Sequence, residues 1–152
     1  MGEDVVFQPT VSLALADRLV RASTVSAIEK GVRVAVVVAD SSGAVVAAAR
    51  MNGANAVAMQ LAEDKAFTAA AFGAATDSWS RATEPGGADW GLSLAVSGRI
   101  VVVAGGLPLV VDGRVIGALG VSGAAPSVDR SCAEDAMRAE PETFHPIGSF
   151  EL

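Results

Sequence analysis

The chain is poor in the side chains that most often carry chemistry. It has one cysteine, Cys132, and one histidine, His145, in 152 residues. A lone cysteine forms no internal disulfide and no cysteine-based zinc motif, which fits a reducing compartment. One histidine among scattered carboxylates gives no recognisable transition-metal set, so no metal is expected. Aromatic residues make up only 5%, while apolar residues reach 51%. The apolar content is therefore mainly alanine and valine. Such small side chains give little bulk per residue, and part of the apolar surface is expected to be buried against other subunits.

Other absences narrow the function. The net charge is -6 and no basic cluster is present, which argues against a nucleic-acid partner. The first eight residues lack an apolar signal core, and glycine, proline or charge breaks every long apolar stretch. A cytoplasmic protein without a membrane partner is expected. No G-x-G-x-x-G opens a helix after a strand, so a dinucleotide site is not supported. There is no internal repeat, linker or low-complexity tract. The length suits one domain over 1–152, with an irregular tail over 141–152.

What is present reads as an α/β chain of the α+β kind. Thr10 is the expected cap of a first helix that Gly31 ends. Val32–Ala39 is a β-branched run of strand length, Asp40–Gly43 a turn, and Ala44–Met51 the returning strand. A helical, alanine-rich pattern covers Ala54–Gly73, and a short helix over Asp77–Arg81 follows, with Thr76 as its cap. Glu84–Gly91 is a glycine-rich loop that carries Trp90. Leu92–Val96 and Arg99–Val103 are expected strands about Ser97-Gly98, and Gly105–Pro108 a bend. Asp112-Gly113 joins Leu109–Val111 to Arg114–Val121 in the strongest hairpin signal of the chain. Ser127–Glu140 is the last helix.

Three stretches in series carry a resemblance. The first is Val36-Val37-Val38-Ala39-Asp40, with Gly43 and Arg50-Met51-Asn52-Gly53-Ala54 beyond it. The second is Ala62-Glu63-Asp64-Lys65-Ala66-Phe67-Thr68-Ala69. The third joins Gly105-Gly106-Leu107-Pro108 and Asp112-Gly113 to Ile116-Gly117-Ala118-Leu119-Gly120-Val121-Ser122-Gly123. In order and spacing they resemble the GlcG/HbpS-like family, which includes the C-terminal domain of PduO-type proteins. The resemblance implies a profilin-like antiparallel sheet flanked by helices. It also implies homo-oligomers, often octamers, with ligand pockets near subunit contacts, and haem or a related tetrapyrrole as ligand of some members. Asn52 stands where the family usually has aspartate, and no histidine lies in the first helix.

Candidate residues follow. Lys65 sits on a small, apolar helix face with Leu61, Ala62, Thr68 and Ala69. A desolvated amine there is a base, a Schiff-base former or a carboxylate anchor; the alternative is a lysine that snorkels or pairs with a carboxylate such as Asp40. Asp40 is an acid or base facing a pocket, or the closing group of an Asx-turn. Arg50 is a carboxylate clamp or a partner of Asp40. Gly105, Gly106 and Gly123 allow close backbone approach, with amides available to an anion. Asn52 and Ser122 are further substrate contacts, Trp90 a lid or wall, and His145 an acid, base or haem ligand if the tail packs over a pocket. The residues themselves call for no cofactor. They point first to cofactor-independent proton transfer, of isomerase or lyase type, on a small organic substrate, with Lys65 and Asp40 catalytic. The resemblance points instead to a non-catalytic haem or tetrapyrrole binder, or a sensory protein.

Overall fold

In the computed structural model, residues 4–144 are described. Helix α1 spans Leu13–Glu29, and a hairpin of β1 (Ala35–Asp40) and β2 (Val45–Arg50) follows. Helix α2 covers Ala58–Phe72, and a 3-10 turn covers Thr76–Trp79. A second 3-10 turn, Leu92–Leu94, runs into the single turn α3 (Ala95–Gly98). Strands β3 (Gly106–Val111) and β4 (Arg114–Ser122) precede helix α4 (Pro126–Arg138). The strands form one antiparallel sheet in the order β2-β1-β4-β3. This is the expected α+β architecture, an antiparallel sheet with helices on both faces.

The central strand β1 explains the layering. Its side chains alternate between faces. Val36 and Val38, with Val34 just before the strand, pack with Leu15, Leu19, Cys132 and Ala133 of α1 and α4. Ala35, Val37 and Ala39 pack with Ala58, Ala62 and Ala66 of α2. A strand buried on both sides reads as the continuous apolar run seen in the sequence. The alanine face of α2 lies directly on the sheet. A Cβ added at Gly120 would strike the Ala62 carbonyl and the Ala66 amide, so glycine in β4 permits the close approach. Among the described residues no helix is long and apolar enough to cross a membrane.

Several local expectations are corrected. The cap of α1 is Ser12, whose hydroxyl accepts the Leu15 N–H at 3.1 Å. Thr10 instead donates to the Ile116 carbonyl and accepts from the Ser41 amide, tying the chain to β4 and the hairpin turn. Leu92–Val96 and Arg99–Val103 are not strands. The first is helical turns, with Val96 at φ 52° and Ser97 at φ 55°, and the second is an unpaired stretch. The helix expected over Asp77–Arg81 is a 3-10 turn that begins at Thr76 itself. Gly106–Pro108 lies inside β3 rather than interrupting the sheet. Pro108 is tolerated because β3 is an edge strand. The Asp112-Gly113 turn is as expected, with both residues at positive φ.

Candidate functional site

Lys65 is the residue that the fold treats most unusually. It lies on α2 against the sheet and is only 2% exposed. Its ammonium has three N–H donors. They meet the Val121 carbonyl at 3.1 Å, the Ser122 hydroxyl at 3.4 Å and Asp129 Oδ2 at 3.1 Å. Asp129 belongs to the first turn of α4 and is 1% exposed. Its Oδ1 accepts the Ala124 amide at 2.9 Å. Burial pushes the Asp129 carboxyl above its ordinary range, while the Ala124 amide and the lysine pull it back. Glycine makes room for the pair. Gly105 has φ +131°, and a Cβ there would lie 2.8 Å from Lys65 Nζ and 3.1 Å from the Asp129 Cβ.

A cleft of about 210 Å³ opens beside this pair. Lys65, Ser122 and Asp129 form its polar floor, and Leu61, Val101, Val103 and Pro126 contribute apolar walls. Asn55 stands at the same opening. Sequence reasoning missed Asp129 and Asn55. Asp129 follows Pro126-Ser127 and looks like an ordinary acidic residue in a helix's first turn. Asn55 was lost among the residues leading into α2, where its side chain accepts the Val57 amide.

The other sequence candidates are spread out. Ser122, Gly105 and Gly106 join Lys65; a Cβ at Gly106 would press on the Lys65 carbonyl and the Thr76 methyl. Asp40 does not join it. It pairs with Gly117, whereas Ala35 pairs with Ser122, so Asp40 sits at the other end of the sheet, roughly 17 Å along the strand. There it accepts from the Ser42 amide, the Ser42 hydroxyl and the Ala44 amide. The Ser42 hydroxyl is the chief reason that its carboxyl is held below the ordinary range. Arg50 pairs with Ala35 and so shares a row with Ser122 two strands away, with its side chain exposed. It lies at the opposite end of the hairpin from Asp40. Asn52 lines a separate shallow hollow with Ile28, Gly31, Arg33 and Met51. Trp90 is 67% exposed and is not part of the cleft lining. His145 lies outside the described residues.

The fold and the cleft define a class, and comparison with known proteins supplies it. The family described as haem degrading protein HbpS-like matches residues 11–138. An uncharacterized 15.0 kDa protein of Citrobacter freundii, from its dhaT-dhaS intergenic region, is 37% identical over 128 residues, covering 84% of this chain and 90% of that protein. The corrinoid adenosyltransferase PduO of the same organism is 35% identical over 134 residues, which are 87% of this chain and 40% of that protein. Among solved structures, the PduOC–heme complex superposes with a TM-score of 0.83 at 35% identity, covering 86% of this chain and 94% of that one. The chain belongs to the HbpS-like family.

Haem is the group that this family implies, and the described residues meet it in part. The apolar walls suit the edge of a flat macrocycle, while the floor, where Asp129 already neutralises Lys65, offers no free cation to a ligand carboxylate. The cleft is smaller than pockets that enclose a drug-sized ligand, so most of such a macrocycle would lie against the rim. Leu61 and Val103 there are 36% and 45% exposed. Iron ligation is another matter. No histidine occurs among the described residues, and Cys132 is buried in the core between α1 and α4. The described residues therefore offer a place for one edge of the macrocycle and offer its iron no imidazole.

Proposed function

We propose that this chain is a non-catalytic tetrapyrrole-binding protein, of haem or a close relative, whose ligand edge enters the cleft above Lys65 and Asp129. The observation that carries the reading is the state of Lys65. All three of its donors are taken by fixed acceptors, and its carboxylate partner is buried with it. A base for proton transfer needs a free lone pair aimed at substrate. This lysine instead forms a polar floor, while Asp40, the other expected catalytic group, lies at the far end of the sheet. The isomerase or lyase reading thus loses its two-residue centre. Family membership supports tetrapyrrole binding, and the relative solved with heme adds to that support. The protein acts as a cytoplasmic homo-oligomer, and a neighbouring subunit covers the part of the ligand that the small cleft leaves open.

The test is a titration with hemin and, separately, with metal-free protoporphyrin IX, followed by absorption. Saturable uptake of both at stoichiometric ligand is expected, because the cleft offers apolar walls and a polar floor and its lining includes no imidazole for the iron. His145→Ala separates iron ligation from macrocycle binding: a changed Soret band with hemin but unchanged protoporphyrin uptake makes His145 the ligand. Spectra indistinguishable from the free porphyrins overturn the reading.

A further inference from the structure

The wall of the cleft opposite α4 is built from chain that the sheet does not hold. Val101 and Val103 belong to the stretch between α3 and β3. Among the described residues, Ile100–Ala104 makes no main-chain hydrogen bond to other main chain. The first such bond beyond it is from the Val121 amide to the Gly105 carbonyl, at 2.9 Å. An apolar stretch of this composition would normally pair as a strand, as its sequence suggests, because its amides and carbonyls need partners.

Two threonine hydroxyls supply partners at two points of the stretch and at its two flanks. Thr68 Oγ1 on α2 donates to the Arg99 carbonyl at 3.1 Å and accepts the Val101 amide at 3.0 Å. Thr76 Oγ1 donates to the Val103 carbonyl at 2.6 Å and accepts the Gly106 amide at 3.1 Å. Each hydroxyl thus bridges a carbonyl and a later amide, as a neighbouring peptide group would. Both threonines are about 1% exposed or less. Thr68 lies one helical turn beyond Lys65, so the same face of α2 sets both the floor and the wall. The first bracket is reinforced at its entry, where Arg99 pairs with Asp64 at 3.0 Å and lies over the Phe67 ring at 3.9 Å.

We infer that Thr68 and Thr76 are positioning residues for the ligand cleft, latching the Arg99–Gly106 strap so that Val101 and Val103 stand at a fixed distance from Pro126 and Ser122. The inference rests on the cleft being the tetrapyrrole site. Neither threonine lines the cleft; each acts through the strap. Loss of a hydroxyl leaves one amide and one carbonyl, buried or partly buried, without that partner, which loosens the strap locally and leaves the sheet intact.

The experiment uses Thr68→Val and Thr76→Val, nearly isosteric changes that delete the hydroxyl, with Thr68→Ser and Thr76→Ser as rescues. Amide exchange at Val101 in the first variant and at Gly106 in the second is expected to accelerate about tenfold or more, while exchange at Val37 in β1 stays as in the parent chain. Hemin affinity is expected to weaken about tenfold in both valine variants and to return in both serine variants. Unchanged exchange at the strap shows that the latch does not exist. Faster exchange with hemin affinity kept within about twofold shows that the strap does not position the site. A parent chain that takes up no hemin sinks the tetrapyrrole reading and the latch's role in binding, while the exchange data still decide whether the latch is there. A valine variant whose Val37 exchange also rises has lost global stability, and failure of its serine counterpart to restore binding then overturns the inference.

Discussion

Lys65 Nζ and Asp129 Oδ2 stand 3.1 Å apart with both side chains almost fully buried. They come from α2 and α4, on opposite sides of the sheet, and meet past the end of β4. A buried ion pair stabilises little when compared with apolar residues of the same shape, yet breaking it on one side leaves an unpaired charge. Lys65→Met is therefore expected to cost about 3–5 kcal/mol, and Lys65→Met with Asp129→Leu to recover much of it. Denaturant unfolding of the parent, both single variants and the double variant measures this. A double variant no better than the worse single one would show that the pair does not act as a unit.

Gly120 tests the contact between α2 and the sheet. A Cβ there meets main chain of Ala62 and Ala66, which has no flexible end to move aside. Gly120→Ala is expected to destabilise by about 1–3 kcal/mol, the usual cost of overpacking. Thermal or denaturant unfolding reads the change, and a variant as stable as the parent would mean that α2 does not lie so close.

Asp40 contributes stability that acid removes, and has no part in the cleft. Its carboxyl is held below the ordinary aspartate range in the folded chain, chiefly by the Ser42 hydroxyl. The unfolded chain therefore binds the extra proton first. The contribution is present above the unfolded value and is lost as pH falls through the lowered folded value. Asp40→Asn keeps an acceptor for the turn and removes the titration. Stability is expected to fall less steeply with acid in that variant, with hemin uptake unchanged. An identical acid profile, or lost hemin uptake, contradicts this placement.

Much of the fold was legible because the signals were local. Asp112-Gly113 announced a hairpin, Pro126-Ser127 a helix start, and β1 an inward run, and each depends on residues adjacent in sequence. Errors arose where a side chain served distant main chain. Thr10 and Thr76 looked like caps but spend their hydroxyls on Ile116 and on Val103 and Gly106. Arg99–Val103 has strand composition, yet two threonines replace the strand partner that it lacks. The site was half visible. Lys65 stands out as a charge on an alanine face, but its carboxylate partner is 64 positions away, whereas Asp40 is nearer in sequence. No spacing rule links residues that only the sheet brings together.

The most direct test of the account is to fill the cleft without touching its polar floor. Val103 lines the opening and is 45% exposed, so Val103→Trp adds bulk at the mouth and leaves the core intact. Hemin titration of the parent chain should give a saturable, shifted Soret band at stoichiometric hemin, and the variant should lose it while unfolding at the same denaturant concentration. A parent spectrum like free hemin, or full hemin uptake by the folded variant, would contradict the claim that this cleft is the tetrapyrrole site.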